Sequence, residues 1–217
     1  MSKTWIIGHR GSPDHPENTI AGFQAALEQG ANGIELDVRQ SGDGQLIVLH
    51  PSVVGELSVK ATPFEQFRTT PEGYEIPLFE EVLKKFGKKT FLDVEFKHSG
   101  FEEEAVRLIE KYCKPNKVMV TGFEADSLNK VHELAPDLQL GFIYNRTQDE
   151  ESRHHAPIDV VIPQFRLASR EFIAEVHDEG LQLWAWTVNE EPEIKRLLGL
   201  GVDGLITDFP ARVKAAL

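Results

Sequence analysis

Apolar residues recur along this chain in two alternating rhythms: short apolar or alternating runs, and longer stretches with helical spacing. The short runs predict extended segments over 4–8, 33–39, 46–50, 90–96, 117–121, 139–143, 160–162, 182–186 and 204–207. Helical spacing falls over 19–29, 78–86, 101–112, 125–134, 169–179, 191–198 and 211–217, with a short polar helical segment near 149–154. In the first helix Ile20, Phe23 and Leu27 follow the i, i+3, i+7 pattern; Asn18 stands where a cap belongs, and Gly30 ends the run. Ser41-Gly42-Asp43-Gly44 reads as a tight turn between the runs 33–39 and 46–50.

Residues 51–77, rich in proline and glycine, break the alternation and leave room for one short helix around 64–68. Taken without this excursion, the pattern is about eight β–α units, which implies parallel strands joined by right-handed crossovers. Eight units in a chain of 217 residues fit a closed barrel better than an open sheet. The expected class is α/β: a (β/α)8 TIM barrel with a short insertion after the second strand. No linker divides it, so 1–217 reads as a single domain with a cap-like insertion at 51–77. In such a barrel, catalytic groups belong at the C-terminal ends of the strands.

Composition narrows the partners. A formal net charge of −12 disfavours nucleic acid and anionic membrane surfaces. The lysine pairs at 84–85 and 88–89 read as the solvated end of a helix. Cys113 is the only cysteine, so no intrachain disulfide forms. Nothing resembles a signal peptide, and no apolar run is long enough to span a bilayer. The expectation is a cytoplasmic protein without stable membrane anchoring, acting on a small molecule; its oligomeric state is not encoded here.

Polar side chains converge where the barrel would carry its chemistry. Glu35 and Asp37, two apart on a strand, share one face, and Glu95 ends the next strand. Three carboxylates make a hard oxygen site suited to one divalent cation, Mg2+ or Ca2+, with Mn2+ also acceptable. Equally, they pair with Arg10, Arg39 or Lys97. His9 and His50 each close an extended run and serve either as an acid–base pair or as hydrogen-bonded structural histidines. Arg10 and Lys97 suit a phosphate, or only balance the acids. Trp186 is a candidate apolar wall for a substrate. Trp184 and Trp186 are expected to face opposite sides of their strand, one toward the barrel and one toward the helices. His154 and His155 should be exposed, while His15, His98, His132 and His177 lack evident companions. No Walker or dinucleotide fingerprint occurs. A cation site, two bases and two histidines describe phosphoryl chemistry.

These residues carry a resemblance. His9-Arg10-Gly11, Pro16-Glu17-Asn18-Thr19, Glu35-Leu36-Asp37-Val38, Asp43-Gly44 leading to His50, Ile76-Pro77-Leu78, Glu95-Phe96-Lys97, Trp186-Thr187-Val188-Asn189, Gly201-Val202-Asp203-Gly204 and Thr207-Asp208 together resemble the glycerophosphodiester phosphodiesterase family over nearly the whole chain. The resemblance implies a (β/α)8 barrel that hydrolyses glycerophosphodiesters to glycerol 3-phosphate and an alcohol. It implies that Glu35, Asp37 and Glu95 hold a divalent cation, that His9 and His50 are the acid–base pair, and that Arg10 and Lys97 bind phosphate. The family commonly has Asp directly after the second histidine; this chain has Pro51, and its insertion is short. The departures concern the cap, and so the choice of alcohol. A phospholipase D-like activity on lysolipids and a non-catalytic phosphate-ester-binding barrel are the competing readings. An isomerase or aldolase on a phosphorylated sugar fits less well, because Thr207-Asp208-Phe209-Pro210 supplies no glycine-rich phosphate loop.

Overall fold

A computed structural model of the protein describes residues 4–146 and 152–217. Strand β1 (Trp5–Gly8) leads through α1 (Ile20–Glu28) to β2 (Gly33–Gln40), which turns back as β3 (Leu46–Val48). The insertion carries a small hairpin, β4 (Val53–Val54) and β5 (Leu57–Ser58). The alternation then resumes with α2 (Phe79–Phe86), β6 (Phe91–Phe96), α3 (Glu102–Tyr112), β7 (Val118–Gly122), α4 (Ala125–Leu134) and β8 (Gln139–Tyr144). It ends with β9 (Val160–Pro163), α5 (Arg170–Asp178), β10 (Gln182–Ala185), α6 (Glu191–Leu200), β11 (Gly204–Thr207) and α7 (Pro210–Ala216).

Eight of these strands run parallel and close into a barrel, in the order β1, β2, β6, β7, β8, β9, β10, β11 and back to β1. The expected barrel with an insertion after the second strand is therefore the observed fold. The run 46–50 is a strand only over Leu46–Val48, where it pairs antiparallel with β2, Val38 opposite Val48. The expected helix near 64–68 is a 3-10 turn over Phe64–Gln66. Residues 149–151 of the expected segment 149–154 lie outside the described residues, and 152–155 form a 3-10 turn. The Asn18 cap is a correction: Thr19 caps α1, its hydroxyl accepting from the Gly22 N–H at 3.1 Å, and Asn18 is turned elsewhere.

The strands alternate between two cores. Outward-facing residues such as Ile34, Leu36, Val38, Leu92, Val94 and Phe96 pack with the helices in the larger cluster. Inward-facing Ile7, Phe91, Met119, Ile143, Val160, Ile162, Trp184 and Ile206 fill the barrel. Trp186 packs partly against this inner cluster, so it shares the inward face of Trp184. That corrects the expectation of opposite faces, because residues two apart on a strand point the same way. The insertion has its own small core of Ile47, Leu49, Val54, Val59, Phe64, Phe67 and Ile76.

The barrel interior accepts the Trp184 indole because its register partner is Gly204. A Cβ on Gly204 would lie 2.6 Å from ring atoms of Trp184, which is rigid and fully buried. Gly204→Ala therefore overpacks the interior. It should destabilise the protein by about 1–3 kcal/mol in chemical denaturation, with the slope of the transition unchanged.

Candidate active site

Inward positions above the apolar plug are polar on two neighbouring strands. β2 turns Glu35 and Asp37 inward, and β6 turns Asp93 and Glu95 inward, with Glu35 opposite Asp93 and Asp37 opposite Glu95. One oxygen of each of Glu35, Asp37 and Glu95 lies within 4.8 Å of the others. All three are buried, Asp37 fully. Like charges this close and this dry are unfavourable without a counter-charge.

Two cations supply part of it. Arg10 Nε lies 3.1 Å from Asp37 Oδ2. The Lys97 ammonium lies 2.5 Å from Glu95 Oε1 and 3.3 Å from Asp37 Oδ1. The Arg10 backbone N–H donates to Glu35 Oε2 at 2.8 Å, and its guanidinium reaches Glu17 at 3.0 Å. Asn18 completes the frame: its amide donates to Asp37 Oδ2 at 2.8 Å, and its carbonyl accepts from the Asp37 N–H at 3.2 Å. Arg10 and Asn18 are the only described non-glycine residues with positive φ, 52° and 59°. Left-handed backbone is costly for such side chains, and here it buys their reach into the carboxylate cluster.

Compensation is incomplete. Burial, then repulsion from Asp37 and Glu95, holds the Glu35 carboxyl well above the usual range. Burial and then Asp37 raise Glu95, against the pull of Lys97. Asp37 overcomes burial through Lys97, Arg10 and the Asn18 amide, and stays below the usual range. Glu35 Oε1 and Asp37 Oδ1 are buried without a hydrogen bond. Glu35 Oε1, unpartnered, and Asp37 Oδ1, held only by the Lys97 charge, belong to an all-oxygen donor set that fits a hard divalent cation. The pairing with Arg10 and Lys97 and the suitability for a cation thus coexist. Arg39 does not join the acids directly; its Nε donates to the His50 carbonyl at 2.9 Å.

The two histidines differ in support. His9 Nδ1 meets Asp208 Oδ1 at 2.7 Å, and the Asn189 side-chain amide donates a hydrogen bond of 2.6 Å to Asp208 Oδ2. The Asp208 carboxyl sits below its usual range: burial opposes this, but the His9 hydrogen bond and charge outweigh it. His50 has no such partner. Burial lowers its pKa; Asp37 opposes this, while Arg10 and Lys97 reinforce it. A cavity of about 380 Å3 opens beside His9, lined by Arg10, Ser12, Pro13, His15, Glu17 and Asp208. Trp186 donates its indole N–H to the Ile162 carbonyl at 3.0 Å and meets Phe123 edge-on.

Several residues at this mouth escaped the sequence reading. Asn18 carried the signal of a cap. Asp208 and Asn189 lay in recognisable motifs, but their contact crosses 19 residues of chain. Asp93 hid inside an apolar run, where the period of two that marked Glu35 and Asp37 also marks it. His177, expected to lack a companion, pairs with Asp203 at 2.8 Å. His154 and His155 are exposed, as expected.

The sequence profile of the glycerophosphoryl diester phosphodiesterase family matches residues 9–212. A glycerophosphodiester phosphodiesterase of Caldanaerobacter subterraneus subsp. tengcongensis is 34% identical, over 96% of this chain and 95% of its own length. Among solved structures, a phosphodiesterase of Oleispira antarctica in complex with the product sn-glycerol-3-phosphate superposes with a TM-score of 0.85 at 23% identity. That match covers 98% of this chain and 96% of the other. A glycerophosphodiester phosphodiesterase from Agrobacterium tumefaciens superposes with a TM-score of 0.83 at 22% identity, covering 99% of each chain. At these identities the structural likeness is one of fold.

Two outcomes follow from the electrostatics. Mg2+, Ca2+ or Mn2+ should raise the melting temperature, the cation contributing about 2.7 kcal/mol at a hundredfold excess over its Kd. Glu35→Gln and Glu95→Gln should each lose that shift in a thermal denaturation series. Asp93 is pushed up to about 7 by burial, against a 2.7 Å hydrogen bond from Thr121, with Glu95 and Asp37 adding to the rise. A carboxyl that holds its proton more tightly when folded loses stability as pH rises, here from about 4 to about 7. In EDTA, Asp93→Asn should therefore stabilise the protein at pH 8, on the order of 2–4 kcal/mol, and change little at pH 4.

Proposed function

This chain belongs to the glycerophosphoryl diester phosphodiesterase family, and from that membership we propose that it hydrolyses glycerophosphodiesters to glycerol 3-phosphate and an alcohol by histidine acid–base catalysis. The observation that carries the reading is the unequal support of its two histidines around one carboxylate and cation cluster.

Arg10 and Lys97 bind the phosphate, the first as a fork and the second as a point charge. Glu35, Asp37 and Glu95 would hold a divalent cation, which when bound would supply Lewis-acid stabilisation of developing negative charge. His50, its pKa depressed by burial and, against the pull of Asp37, by Arg10 and Lys97, takes the proton of the attacking oxygen. His9 donates the proton to the departing oxygen. Its Nδ1–H rests on Asp208, which stabilises the imidazolium and leaves Nε2 to face the substrate. The leaving alcohol then occupies the cavity lined by Ser12, Pro13, His15 and Glu17. Either water or the glycerol 2-hydroxyl serves His50 as nucleophile; the second route passes through a cyclic phosphate.

No described helix is long and apolar enough to cross a membrane. The single cysteine fits the reducing cytoplasm, to which we assign the protein.

A coupled assay for glycerol 3-phosphate released from glycerophosphocholine should show turnover that EDTA abolishes. His9→Ala and His50→Ala should each lower kcat/KM by about 10²–10⁴. The acid limb of kcat/KM should lie below the ordinary histidine range, since it reports His50. Full activity in either alanine variant would sink the mechanism. Release of choline from lysophosphatidylcholine but not from glycerophosphocholine would favour the lysolipid reading, and ligand binding with no turnover under any cation the non-catalytic one.

A further inference from the structure

The acidic charge of this chain is interrupted where α2 and α3 end. Residues 84–89 and 111–117 hold Lys84, Lys85, Lys88, Lys89, Lys111, Lys114 and Lys117 and no acid, in a chain of 23 lysines and arginines against 35 acids. All are exposed except Lys117, which is half-buried. The two stretches meet: the Lys114 N–H donates to the Gly87 carbonyl at 3.3 Å. Gly87 leaves room for this approach, because a Cβ there would lie 2.6 Å from Cys113 Sγ. Glu80 takes Lys84 at 3.1 Å and Lys111 at 3.7 Å. Lys85, Lys88, Lys89, Lys114 and Lys117 make no ion pair with any described residue. They share the N-terminal rim of the barrel: Lys88 and Lys89 lead into β6, and Lys114 and Lys117 into β7, whose other ends face the mouth. The helix dipole accounts for a lysine at each C-terminus, not for unpaired lysines converging from two helices. An apolar cavity of about 350 Å3 opens beside them, lined by Ile109, Cys113, Val118, Leu134 and Leu138, with Lys114, Glu110 and Asp137 also in its wall.

We propose that this rim is a docking surface for an anionic lipid bilayer, held reversibly through the lysines, with the mouth of the barrel turned toward solution. The net charge of −12 does not forbid the contact. At physiological ionic strength, exposed charges more than about 8 Å from the bilayer are largely screened, so the facing charges decide. Ammonium groups on flexible stems suit laterally mobile headgroups, which offer charge without fixed geometry. The cavity gives the same rim an apolar wall, which a bilayer surface can use. A nucleic acid would instead favour free arginine forks and open aromatic platforms. Arg107, the arginine of α3, is bound to Glu104, and the Tyr112 ring is flanked by Lys84 and Lys111 at 5.4 and 4.8 Å. Attachment of this kind is independent of the activity set out above, and it leaves the mouth open to a water-soluble diester.

The test is sedimentation of the full chain with vesicles of phosphatidylcholine alone, and of phosphatidylcholine mixed equally with phosphatidylglycerol, at physiological ionic strength. The mixed vesicles should hold the protein at least about tenfold more tightly, and high salt should release it. The double variant Lys88→Gln, Lys89→Gln and the single variant Lys114→Gln should lower the partition coefficient by about fivefold per lysine removed. Lys195→Gln, on α6 at the opposite side of the barrel, should leave it unchanged. The melting temperature and the turnover of dissolved glycerophosphocholine should match wild type in every variant, because these side chains are exposed and lie away from the mouth. Equal partition onto both kinds of vesicle, no binding to the mixed ones, or unchanged partition in the rim variants would overturn the docking surface. Capture of single-stranded RNA with the same lysine dependence, and no vesicle binding, would overturn it in favour of a nucleic-acid site. A wild type that binds the mixed vesicles through these lysines but turns over no glycerophosphodiester sinks the activity and leaves the docking surface standing.

Discussion

Repulsion among buried carboxylates is the constraint from which the rest of this mouth follows. Glu35, Asp37, Asp93 and Glu95 are all turned inward by the pairing of β2 with β6. The outward faces of the same strands hold them there. Ile34, Leu36 and Val38 pack under the helices, and each buried aliphatic side chain contributes about 1.5–3 kcal/mol. An incompletely paired buried charge costs several kcal/mol. The two are of similar size, so the strands stay folded only if the inward charges find compensation. Arg10, Lys97 and Asn18 provide it from three separate segments. Compensation stops short of completion at Glu35 and Glu95, whose raised pKa values record what remains.

The fold was legible because its period was legible. Glu35 and Asp37 announced an inward face by interrupting an apolar run, and glycines such as Gly30 marked where helices end. Legibility failed where one residue type serves two local purposes. Asn18 sits where a helix cap belongs, and an amide there satisfies the sequence pattern perfectly well. Its side chain goes instead to Asp37, because Thr19 caps the helix and left-handed backbone at Asn18 turns the amide inward. Trp184 and Trp186 were misjudged by parity alone: two apart means one face.

The unequal histidines illustrate how a symmetric motif becomes an asymmetric device. Sequence shows two histidines, each closing an extended run. Their surroundings separate them. Asp208 and Asn189 reach His9 from the end of β11 and from the segment after β10, on the far side of the β1 strand from the acids. His50 is placed by the β2–β3 hairpin, through the Leu49 N–H on the Asp37 carbonyl and the Arg39 side chain on its own carbonyl. It feels the charges of Asp37, Arg10 and Lys97, with no carboxylate among the described residues hydrogen-bonded to its ring. One ring is therefore fixed by a carboxylate and the other is not.

In the proposed reaction Arg10 and Lys97 have two claimants, the acids and the phosphate. In this structure both are engaged by the acids, Lys97 by Glu95 and Asp37, Arg10 by Asp37 and Glu17. A carboxylate and a phosphate compete for these cations, because each neutralises charge the other would use and each occupies part of a limited donor set, five N–H on Arg10 and three on Lys97. Positive charge placed on the carboxylates weakens their hold on Arg10 and Lys97 and makes these donors available to an anion. Reciprocity of binding free energies then requires the converse: an anion that draws Arg10 and Lys97 away leaves the acids more in need of a cation. Positive charge on the acids and a phosphate between the two bases thus favour each other, without any movement of the barrel. The same repulsion that threatens the fold couples the two halves of its site.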